Sequence, residues 1–516
     1  MPGAPWRSQG CNTCRRRKVK CDGERPHCAR CLRGGHRCDG YDRSRKFVHA
    51  FSAPKNTVQD LPVAKRPPHE HEASFSAINV NTQIRSQLFS LFIDSYIPSR
   101  PVGHINFRCQ QTSNLIEVFP TVMNGKNSQL LDRAISALAA VFVGNKIDDE
   151  QLVRHGVGLY NNAIQVFARL IPRSGLPVQE VLCANVVFQL YELINCTSGF
   201  SGWTAHMEGA NAVLARHQQF LERDKLSLML LRQLKLSNVS PQVTLPLSWN
   251  QNSFKQIFHA IGKSKSALAF CPMWRFLSPK DSDDPIDEII DILMACTSLL
   301  EQEDELQSIY DADQLTQQCW DLNTQTLAWN DKLEVIHGRP LYTRVPDETK
   351  VTRTQSSRNI LPERYHFINL EVAESHMLCW TAMLIMYSLF HRLEMYKKHL
   401  SPGYTSDEDA ESFLKGAQYY ATQICLGVGY FLQPHMHILG GHNLLFPVSM
   451  ASQFFLINEL HGQYQWCQEV FVALEADGLG LASVLLGTPW SRYKESSPPV
   501  IAIDTEAAAE DLVCDT

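Results

Sequence analysis

Residues 11–38 read CNTCRRRKVKCDGERPHCARCLRGGHRC, and this stretch decides how the N-terminal part of the chain folds. Its cysteines are Cys11, Cys14, Cys21, Cys28, Cys31 and Cys38. They form two copies of the pattern Cys-x2-Cys-x6-Cys, and the second copy is offset from the first by 17 residues. The repeat predicts a pseudo-twofold pair of metal-binding turns, each followed by a short helix.

The donor atoms and their spacing predict zinc as the metal. A Cys-x2-Cys turn places two thiolates on one ion, and zinc takes four ligands in a tetrahedron. Two zinc ions need eight bonds and six thiolates supply six, so two sulfurs must bridge. By the symmetry of the repeat, the bridging residues are expected to be Cys11 and Cys28. About thirty residues cannot bury a useful core, so metal coordination must supply most of the folding free energy.

Charge balance supports the metal cluster over two other interpretations of the cysteines. Six thiolates and two zinc ions sum to a net charge of about −2, which the neighbouring cations can offset. A disulfide scaffold is disfavoured because MPGAPWRSQGC lacks an apolar stretch of signal-peptide length, and a reducing compartment is therefore expected. A four-ligand zinc finger or RING-type site is disfavoured because all six cysteines fit one regular spacing. The neighbouring cations are Arg15, Arg16, Arg17, Lys18 and Lys20.

The composition is that of a globular protein with an uneven charge distribution. The chain has 516 residues, of which 44% are hydrophobic and 20% charged. Residues 1–50 hold 13 lysine and arginine residues against four acidic residues, and the rest of the chain holds 35 basic and 49 acidic residues. A small basic head thus precedes a large acidic body. No window carries the eighteen or so uninterrupted apolar residues of a membrane span, so no membrane partner is expected.

Composition divides the chain into four regions. Residues 1–46 are the zinc-binding head, and residues 47–80, with four prolines and no sustained apolar period, are expected to be a flexible linker. Residues 81–490 show apolar patterns of helical period, which predicts a large all-α domain. Residues 491–516 are expected to be a disordered acidic tail with the acidic and hydrophobic mixture of many activation segments.

Helices of the body are predicted from broad apolar faces and capping residues. Asp148 or Asp149 is expected to cap one of them, and residues 234–252 and 337–362 are expected to be surface excursions because both are rich in turn formers. Residues at helical spacing in segment 201–217 are expected to pack in the core. The predicted helices cover residues 84–96, 128–144, 148–171, 178–194, 287–300, 365–400 and 411–431.

Fragments that resemble enzyme sites lack the rest of their motifs. Residues 262–264, Gly-Lys-Ser, match the end of a P-loop, but the earlier glycine position holds Ile257. The three histidines His435, His437 and His442 have no paired carboxylate or cysteine spacing nearby, so a loop role is expected for them and not metal binding. No Ser/His/Asp arrangement is identifiable, and the chain is not expected to be an enzyme.

The head resembles the zinc binuclear cluster of fungal transcription factors in its cysteine spacing, its R-x-R-K-x-K block at residues 15–20 and Pro26 in the joining loop. Segments 201–217 and 440–455 look like the helical regulatory domain often found in the same proteins. The resemblance in the head covers about 30 residues. It implies that Cys11, Cys14, Cys21 and Cys28 hold one zinc and that Cys28, Cys31, Cys38 and Cys11 hold the other.

The resemblance also implies how double-stranded DNA is bound. In that family the helix after the first Cys-x2-Cys turn enters the major groove and reads a CGG triplet. The position of Lys18 makes the main base contact, and a lysine can donate to guanine O6 and N7 while helix-end carbonyls accept from cytosine N4. Arg15, Arg17 and Lys20 match positions that contact phosphate or line the DNA-facing surface, and Arg16 is a lesser candidate.

These observations favour a nuclear DNA-binding regulator of RNA polymerase II transcription that holds two Zn²⁺ ions and works with the transcription machinery. Family association points to an activator of one pathway, such as a secondary-metabolite or nutrient-use gene set. The alternative function is a zinc-stabilised corepressor that binds proteins without reading bases. The heptad pattern of residues 84–96 is short, so a homodimer would be expected to use the helical body, and monomeric binding stays open.

Overall fold

The chain divides into two units, Met1–His71 and Glu72–Thr516, and each has a core of its own. The predicted tail, the Gly-Lys-Ser fragment and most of the predicted linker lie outside the described residues. The structure, a computed structural model, describes residues 11–24, 27–38, 72–98, 129–171, 177–196, 199–217, 224–244, 284–303, 306–347, 360–401, 403–404 and 410–487.

Two short helices form the head. They are α1 (Asn12–Arg16) and α2 (Ala29–Arg33), and each contains the second cysteine of a Cys-x2-Cys pair. The described residues of the head bury cysteine side chains as their core, with Val19 packed against them. A core of this size is too small to hold a fold without a further stabilising interaction.

The large unit is built from helices, which confirms the predicted all-α class. A 3-10 turn, Pro434–Met436, joins the helices Ala410–Phe431 and His437–Ile457. Within the part of the chain that the structure describes, no helix combines the length and the apolar character needed to cross a membrane. In chain order the helices are α3 (Glu72–Tyr96), α4 (Gln129–Ile147), α5 (Glu150–Leu170), α6 (Val178–Asn195), α7 (Phe200–His217), α8 (Lys225–Thr244), α9 (Pro285–Glu303), α10 (Ile309–His337), α11 (Leu370–Leu400), α12 (Ala410–Phe431), α13 (His437–Ile457), α14 (His461–Ala476) and α15 (Leu481–Gly487).

Polar side chains fix where several of these helices begin. The carboxylate of Asp149 accepts the backbone N–H groups of Gln151 at 3.0 Å and Leu152 at 3.1 Å, and so caps α5. One of the two predicted capping residues is thereby confirmed. Asn369 caps α11 in the same way, accepting the N–H of Val372 at 2.8 Å. A cap of this kind contributes about 1 kcal/mol to helix stability.

Two helices form the centres of the body's core. Helix α6 packs against α4 and α7, and it is buried without interruption from Val181 to Ile194. Helix α11 packs against α9, α10 and α12 and buries apolar side chains along most of its length. Because both helices bury side chains on most of their sides, they are stable only where other elements surround them. The remaining helices therefore arrange around these two.

Helices α4 and α5 approach closely because glycines lie where they cross. A Cβ atom on Gly144 would lie 2.8 Å from Cγ2 of Val153, and a Cβ atom on Gly156 would lie 2.6 Å from Cγ2 of Val141. The arrangement is reciprocal, since each helix supplies a glycine that faces a valine of the other. Protein interiors have few voids, so a larger side chain at either glycine would force the helices apart.

The expected surface excursion at residues 234–252 was wrong for its first part, because α8 continues to Thr244. Leu234 is fully buried. The ammonium group of Lys235 lies 2.6 Å from Oδ1 of Asp291, which belongs to α9. Contacts with α9 thus override the local preference of this stretch for turns. Residues 245–252 lie outside the described part of the chain.

The second expected excursion, residues 337–362, was also wrong in part, because it contains a strand. This strand, β1 (Tyr342–Pro346), pairs antiparallel with β2 (Glu363–Phe367). Tyr365 of β2 is buried, and its ring centroid lies 5.4 Å from that of Trp380 on α11. A two-stranded hairpin is marginal by itself in water, so this packing against a helix is what makes it stable.

The prediction that segment 201–217 packs in the core is confirmed. Trp203, Ala210 and Leu214 of α7 are buried. Nε2 of His206 lies 2.6 Å from the hydroxyl oxygen of Tyr160 on α5. Burial lowers the pKa of His206 to about 4, so the imidazole is neutral at neutral pH.

The histidines near residue 440 are only partly in a loop. His435 lies in the 3-10 turn, but His437 and His442 belong to α13, so the loop role was wrong for these two. Nδ1 of His442 lies 2.6 Å from the hydroxyl oxygen of Tyr96. Burial lowers the pKa of His442 to about 4. This polar contact joins α13 to α3 inside the body.

A pair of glycine substitutions in α5 tests the close packing of α4 and α5. Gly156→Ala should lower the free energy of unfolding by about 1 to 3 kcal/mol, because its methyl group would overlap Val141. Gly158→Ala should raise it by about 0.5 to 1 kcal/mol, since no atom lies within 4 Å of the added methyl and alanine favours helix. Thermal unfolding followed by the helical circular-dichroism signal measures both. Equal changes in the free energy of unfolding for the two variants would contradict the close packing of α4 against α5.

Candidate metal centre and nucleic-acid interface

All six cysteines of the head converge on one cluster. Five of them are buried and Cys21 is half-buried. The sulfur atoms form two quartets, within each of which they all lie within 4.8 Å of one another. Cys11 and Cys28 belong to both quartets. The quartets are Cys11, Cys14, Cys21 and Cys28, and Cys11, Cys28, Cys31 and Cys38.

The distances between sulfurs fit tetrahedral zinc. With Zn–S bonds of about 2.3 Å, two sulfurs of one tetrahedral site lie about 3.8 Å apart. The Sγ atoms of Cys11 and Cys28 are 3.5 Å apart, and those of Cys11 and Cys31 are 3.8 Å apart. The Sγ atoms of Cys14 and Cys28 are 3.6 Å apart. The residues present therefore fit the metal that their spacing predicts.

Backbone N–H groups face the sulfurs in a pattern that repeats with the 17-residue offset. The N–H of Cys14 donates to Sγ of Cys11 at 3.3 Å, and the N–H of Cys31 donates to Sγ of Cys28 at 3.4 Å. The third cysteine of each copy also accepts from the backbone of the first, at 3.3 and 3.5 Å. Hydrogen bonds to sulfur favour the thiolate over the thiol. The two halves thus prepare their sulfurs for a cation in the same way.

Burial acts against ionisation of the same sulfurs. Desolvation raises the pKa of the Cys11, Cys14 and Cys28 thiols above the ordinary value, and hydrogen bonds only partly oppose it. A bound cation supplies the charge that keeps such thiolates ionised. Uptake of metal by these thiols releases protons, so acid conditions favour loss of metal.

The sequence of this segment matches a family model described as the fungal Zn(2)-Cys(6) binuclear cluster domain, over residues 9–47. The head of the chain is a Zn(2)-Cys(6) domain. Membership in this domain family implies zinc binding, the metal that the cysteine spacing predicts. No solved structure significantly matches the chain.

Curated relatives share short segments of sequence with this chain. The aspercryptin biosynthesis cluster-specific transcription regulator atnN of Emericella nidulans is 69% identical over 32 residues, which are 6% of this chain and 5% of the relative. The transcriptional regulatory protein moc3 of Schizosaccharomyces pombe is 41% identical over 44 residues, which are 8% and 9% of the two chains. An uncharacterised transcriptional regulatory protein of Schizosaccharomyces pombe is 32% identical over 60 residues, which are 12% and 11%.

The basic residues at positions 15–20 of the Zn(2)-Cys(6) domain lie at the end of α1 and directly after it. Arg16, Arg17, Lys18 and Lys20 are exposed, whereas the side chain of Arg15 lies outside the described part of the structure. Among the described residues, the side chains of Arg17, Lys18 and Lys20 make no hydrogen bond or ion pair. These three cations can therefore contact an external anion without breaking an internal contact.

Asp22 is a supporting residue that sequence reasoning missed. Its Oδ1 accepts the N–H of Ala29 at 3.2 Å, and its Oδ2 accepts the N–H of Arg30 at 2.6 Å. Desolvation raises the pKa of this carboxyl, but hydrogen bonds from Glu24, Arg30 and Ala29 outweigh it and the pKa is lowered. A carboxylate of the first copy thus holds the first turn of α2 in the second copy. The sequence feature that could have indicated this role is an acidic residue directly after the third cysteine, Cys21.

Thr13 makes a second link between the two halves of the domain. It is buried, and its hydroxyl donates to the backbone carbonyl of Arg37 at 3.1 Å. The link runs from α1 to the loop before the last cysteine, Cys38. Nothing in the cysteine spacing indicates it, because it joins residues that are far apart in sequence.

Within the described residues, groups of side chains that could hold a metal are confined to the Zn(2)-Cys(6) domain. The histidines near residue 440 are in none of them. Burial raises the pKa of Cys183, Cys319 and Cys379 in the body to about 12, chiefly by desolvation. These thiols stay protonated at neutral pH and behave as small hydrophobic side chains.

Removal of the Asp22 carboxylate should weaken zinc retention. Asp22→Ala deletes the acceptors for the N–H groups of Ala29 and Arg30 without changing a cysteine. Asp22→Ser keeps one shorter acceptor and should fall between the wild type and the alanine variant. Equilibrium release of zinc to a competing chelator, read with a zinc indicator, gives the order. Wild-type retention in Asp22→Ala would show that the carboxylate does not support the cluster.

Proposed function

We propose that the protein is a zinc-dependent, sequence-specific DNA-binding transcription factor that acts on RNA polymerase II genes in the nucleus. The observation that carries the proposal is a cluster of six sulfurs from which an exposed basic segment, residues 16–20, emerges. A metal cluster gives a short segment a rigid shape, and a basic ridge on such a shape suits the phosphates and major groove of DNA. The three relatives are all named as transcriptional regulators, which supports the same function.

The domain holds two Zn²⁺ ions in this proposal, with Cys11 and Cys28 as the bridging ligands. The overlap of the two sulfur quartets at these residues supports it. One zinc between the two Cys-x2-Cys pairs is the competing arrangement, because Sγ of Cys14 also lies 3.7 Å from Sγ of Cys31. A single ion would leave the third cysteine of each copy without a function. Each of these cysteines instead completes one quartet.

Zinc content of cysteine variants separates the two arrangements. The wild type should hold two zinc ions per chain, and Cys21→Ser or Cys38→Ser should lower that number, because each removes a ligand from one quartet. Cys514→Ser, outside the Zn(2)-Cys(6) domain, is the matched control and should not change it. Zinc per chain is measured by elemental analysis of the purified full-length protein. One zinc in the wild type, unchanged in the Cys21 and Cys38 variants, would favour the single ion.

Lys18 is proposed to read the bases. Its side chain is exposed shortly after the end of α1, and no described residue makes a hydrogen bond or ion pair with its ammonium group. Lysine donors suit the O6 and N7 acceptors of guanine in the major groove, and this supports recognition of CGG-containing sites. Arg15, Arg17 and Lys20, with Arg16 as a lesser candidate, are proposed to contact phosphates. Phosphate contacts fix the orientation of the domain on the duplex and carry no sequence information.

The helical body is proposed to regulate or relay activity and not to catalyse a reaction. The proposed division is a DNA-binding domain at residues 1–46, a linker at 47–80, the body at 81–490 and an acidic tail at 491–516. Helix α3 begins at Glu72, ahead of the proposed start of the body. The body is also the part that would form a homodimer, and the tail is the part proposed to contact the transcription machinery. We propose a pathway-specific activator of secondary-metabolite or nutrient-use genes, and the relative named as a biosynthesis cluster-specific regulator supports the pathway-specific part.

A corepressor that binds proteins without reading bases is the competing function. Binding-site selection from random duplex DNA with the full-length protein separates the two. Enrichment of CGG triplets supports the transcription factor, and recovery of no enriched motif supports the corepressor. The exposed lysines Lys18 and Lys20 favour the first, since a protein-binding surface is usually poorer in lysine.

Alanine substitutions should separate base reading from phosphate contact. Lys18→Ala should cost about 1 to 3 kcal/mol on a CGG site and reduce discrimination against altered triplets. Arg17→Ala or Lys20→Ala should weaken binding to all sequences and lower the magnitude of the salt slope by about 0.9 for each lost phosphate contact. Both are measured by fluorescence anisotropy on matched and altered duplexes over a range of salt. Full CGG preference in Lys18→Ala would remove this residue from the recognition surface.

A further inference from the structure

Lys18 adopts a backbone conformation that lysine disfavours. Its φ angle is +54°, in the left-handed region where a Cβ atom crowds the following carbonyl oxygen. The residue 17 positions later, at the same place in the second copy of the repeat, is Gly35, whose φ angle is +64°. Glycine has no Cβ atom and enters this region without strain. The two halves of the domain thus make the same turn with residues of opposite preference.

The hydrogen bonds around the two turns confirm that they are equivalent. The N–H of Val19 donates to the carbonyl of Cys14 at 3.0 Å, and the N–H of His36 donates to the carbonyl of Cys31 at 2.9 Å. The residues before Lys18 and Gly35 are equivalent as well. The N–H of Arg17 donates to the carbonyl of Thr13 at 3.1 Å, and the N–H of Gly34 donates to the carbonyl of Arg30 at 3.2 Å. A left-handed residue closing a helix through these bonds is a common helix end, usually with glycine. The left-handed position therefore belongs to the turn and not to the lysine.

Within the described part of the domain, no hydrogen bond or ion pair of the Lys18 side chain offsets the free-energy cost of this conformation. Its side chain is exposed and contacts no described partner by hydrogen bond or ion pair. A Cβ atom at Gly35 would meet no atom within 4 Å, so the cost of a side chain at this turn is a backbone cost and not a steric clash with neighbours. Strained residues persist where the structure around them imposes the conformation, and they concentrate at functional sites.

We propose that the left-handed backbone at Lys18 lowers the stability of the Zn(2)-Cys(6) domain and that the lysine is kept there because it presents its ammonium group. Glycine at this position gives a more stable domain that does not recognise DNA. The stability half of this proposal rests on the backbone alone. The recognition half rests on the proposed function, in which Lys18 contacts the bases. The second copy, with Gly35 at the same place, retains stability and presents no side chain there.

Three variants of the full-length protein test the stability half. Lys18→Gly should retain zinc against a competing chelator about fivefold better than the wild type, a factor that corresponds to about 1 kcal/mol, because folding and zinc binding are linked in such domains. Lys18→Ala keeps a Cβ atom in the same conformation and should match the wild type. Gly35→Lys should retain zinc about fivefold less well, since it introduces the same strain in the second copy. Equal zinc retention by Lys18→Gly and Lys18→Ala would overturn the proposal.

Binding of the same variants to duplex DNA tests the recognition half. Lys18→Gly and Lys18→Ala should lose CGG preference to the same extent, whereas Gly35→Lys should keep it once the domain is saturated with zinc. A Lys18→Gly protein that retains zinc better and still prefers CGG would overturn the recognition half and, with it, the role of Lys18 in the proposed function. The zinc measurement is made without DNA, so the two failures are distinguishable.

Discussion

Coordination of metal by buried thiolates is the interaction on which the Zn(2)-Cys(6) domain depends. Its described core contains little besides cysteine sulfur, and burial alone raises the pKa of these thiols. The backbone N–H groups that face the sulfurs and the side chain of Asp22 orient the two short helices, but they cannot offset the conformational entropy of thirty residues. The position of α1, and hence of every exposed cation after it, follows from the metal.

Sequence reasoning was accurate where a local pattern determines structure. The repeat of six cysteines predicts the convergence of the sulfurs, and an aspartate before an apolar face predicts the cap at Asp149. It was wrong at α8, where Lys235 pairs with an acid of another helix, and at β1, where aromatic packing holds a hairpin. These two errors share one physical cause, which is that the deciding contacts join residues distant in sequence. Asp22 was missed for another reason: the N–H groups that its carboxylate binds are near in sequence but belong to the second copy of the repeat.

The two units of the chain differ in charge, since the head is basic and the body is acidic. The chain is acidic overall, with 48 basic and 53 acidic residues, yet its first 50 residues carry a clear excess of cations. An acidic body repels the phosphate backbone, so the proposed affinity for DNA has to come from the cations of the head, and it should fall steeply with salt. The body has its own large apolar core and does not need the metal for stability. Under the proposed function, loss of zinc would therefore remove DNA binding and leave a folded body.

Linkage joins the metal to recognition of the bases. DNA that binds only the folded, zinc-loaded domain must increase zinc retention by the same factor by which zinc increases DNA affinity. A domain that is stable enough to stay folded without DNA would show little of this coupling. A left-handed lysine keeps the stability lower than a glycine would, since no described residue makes a hydrogen bond or ion pair with the Lys18 side chain that would offset the backbone cost. The same residue that reads the bases in this proposal thus makes the folded state of the domain more dependent on its ligands, which are zinc and DNA.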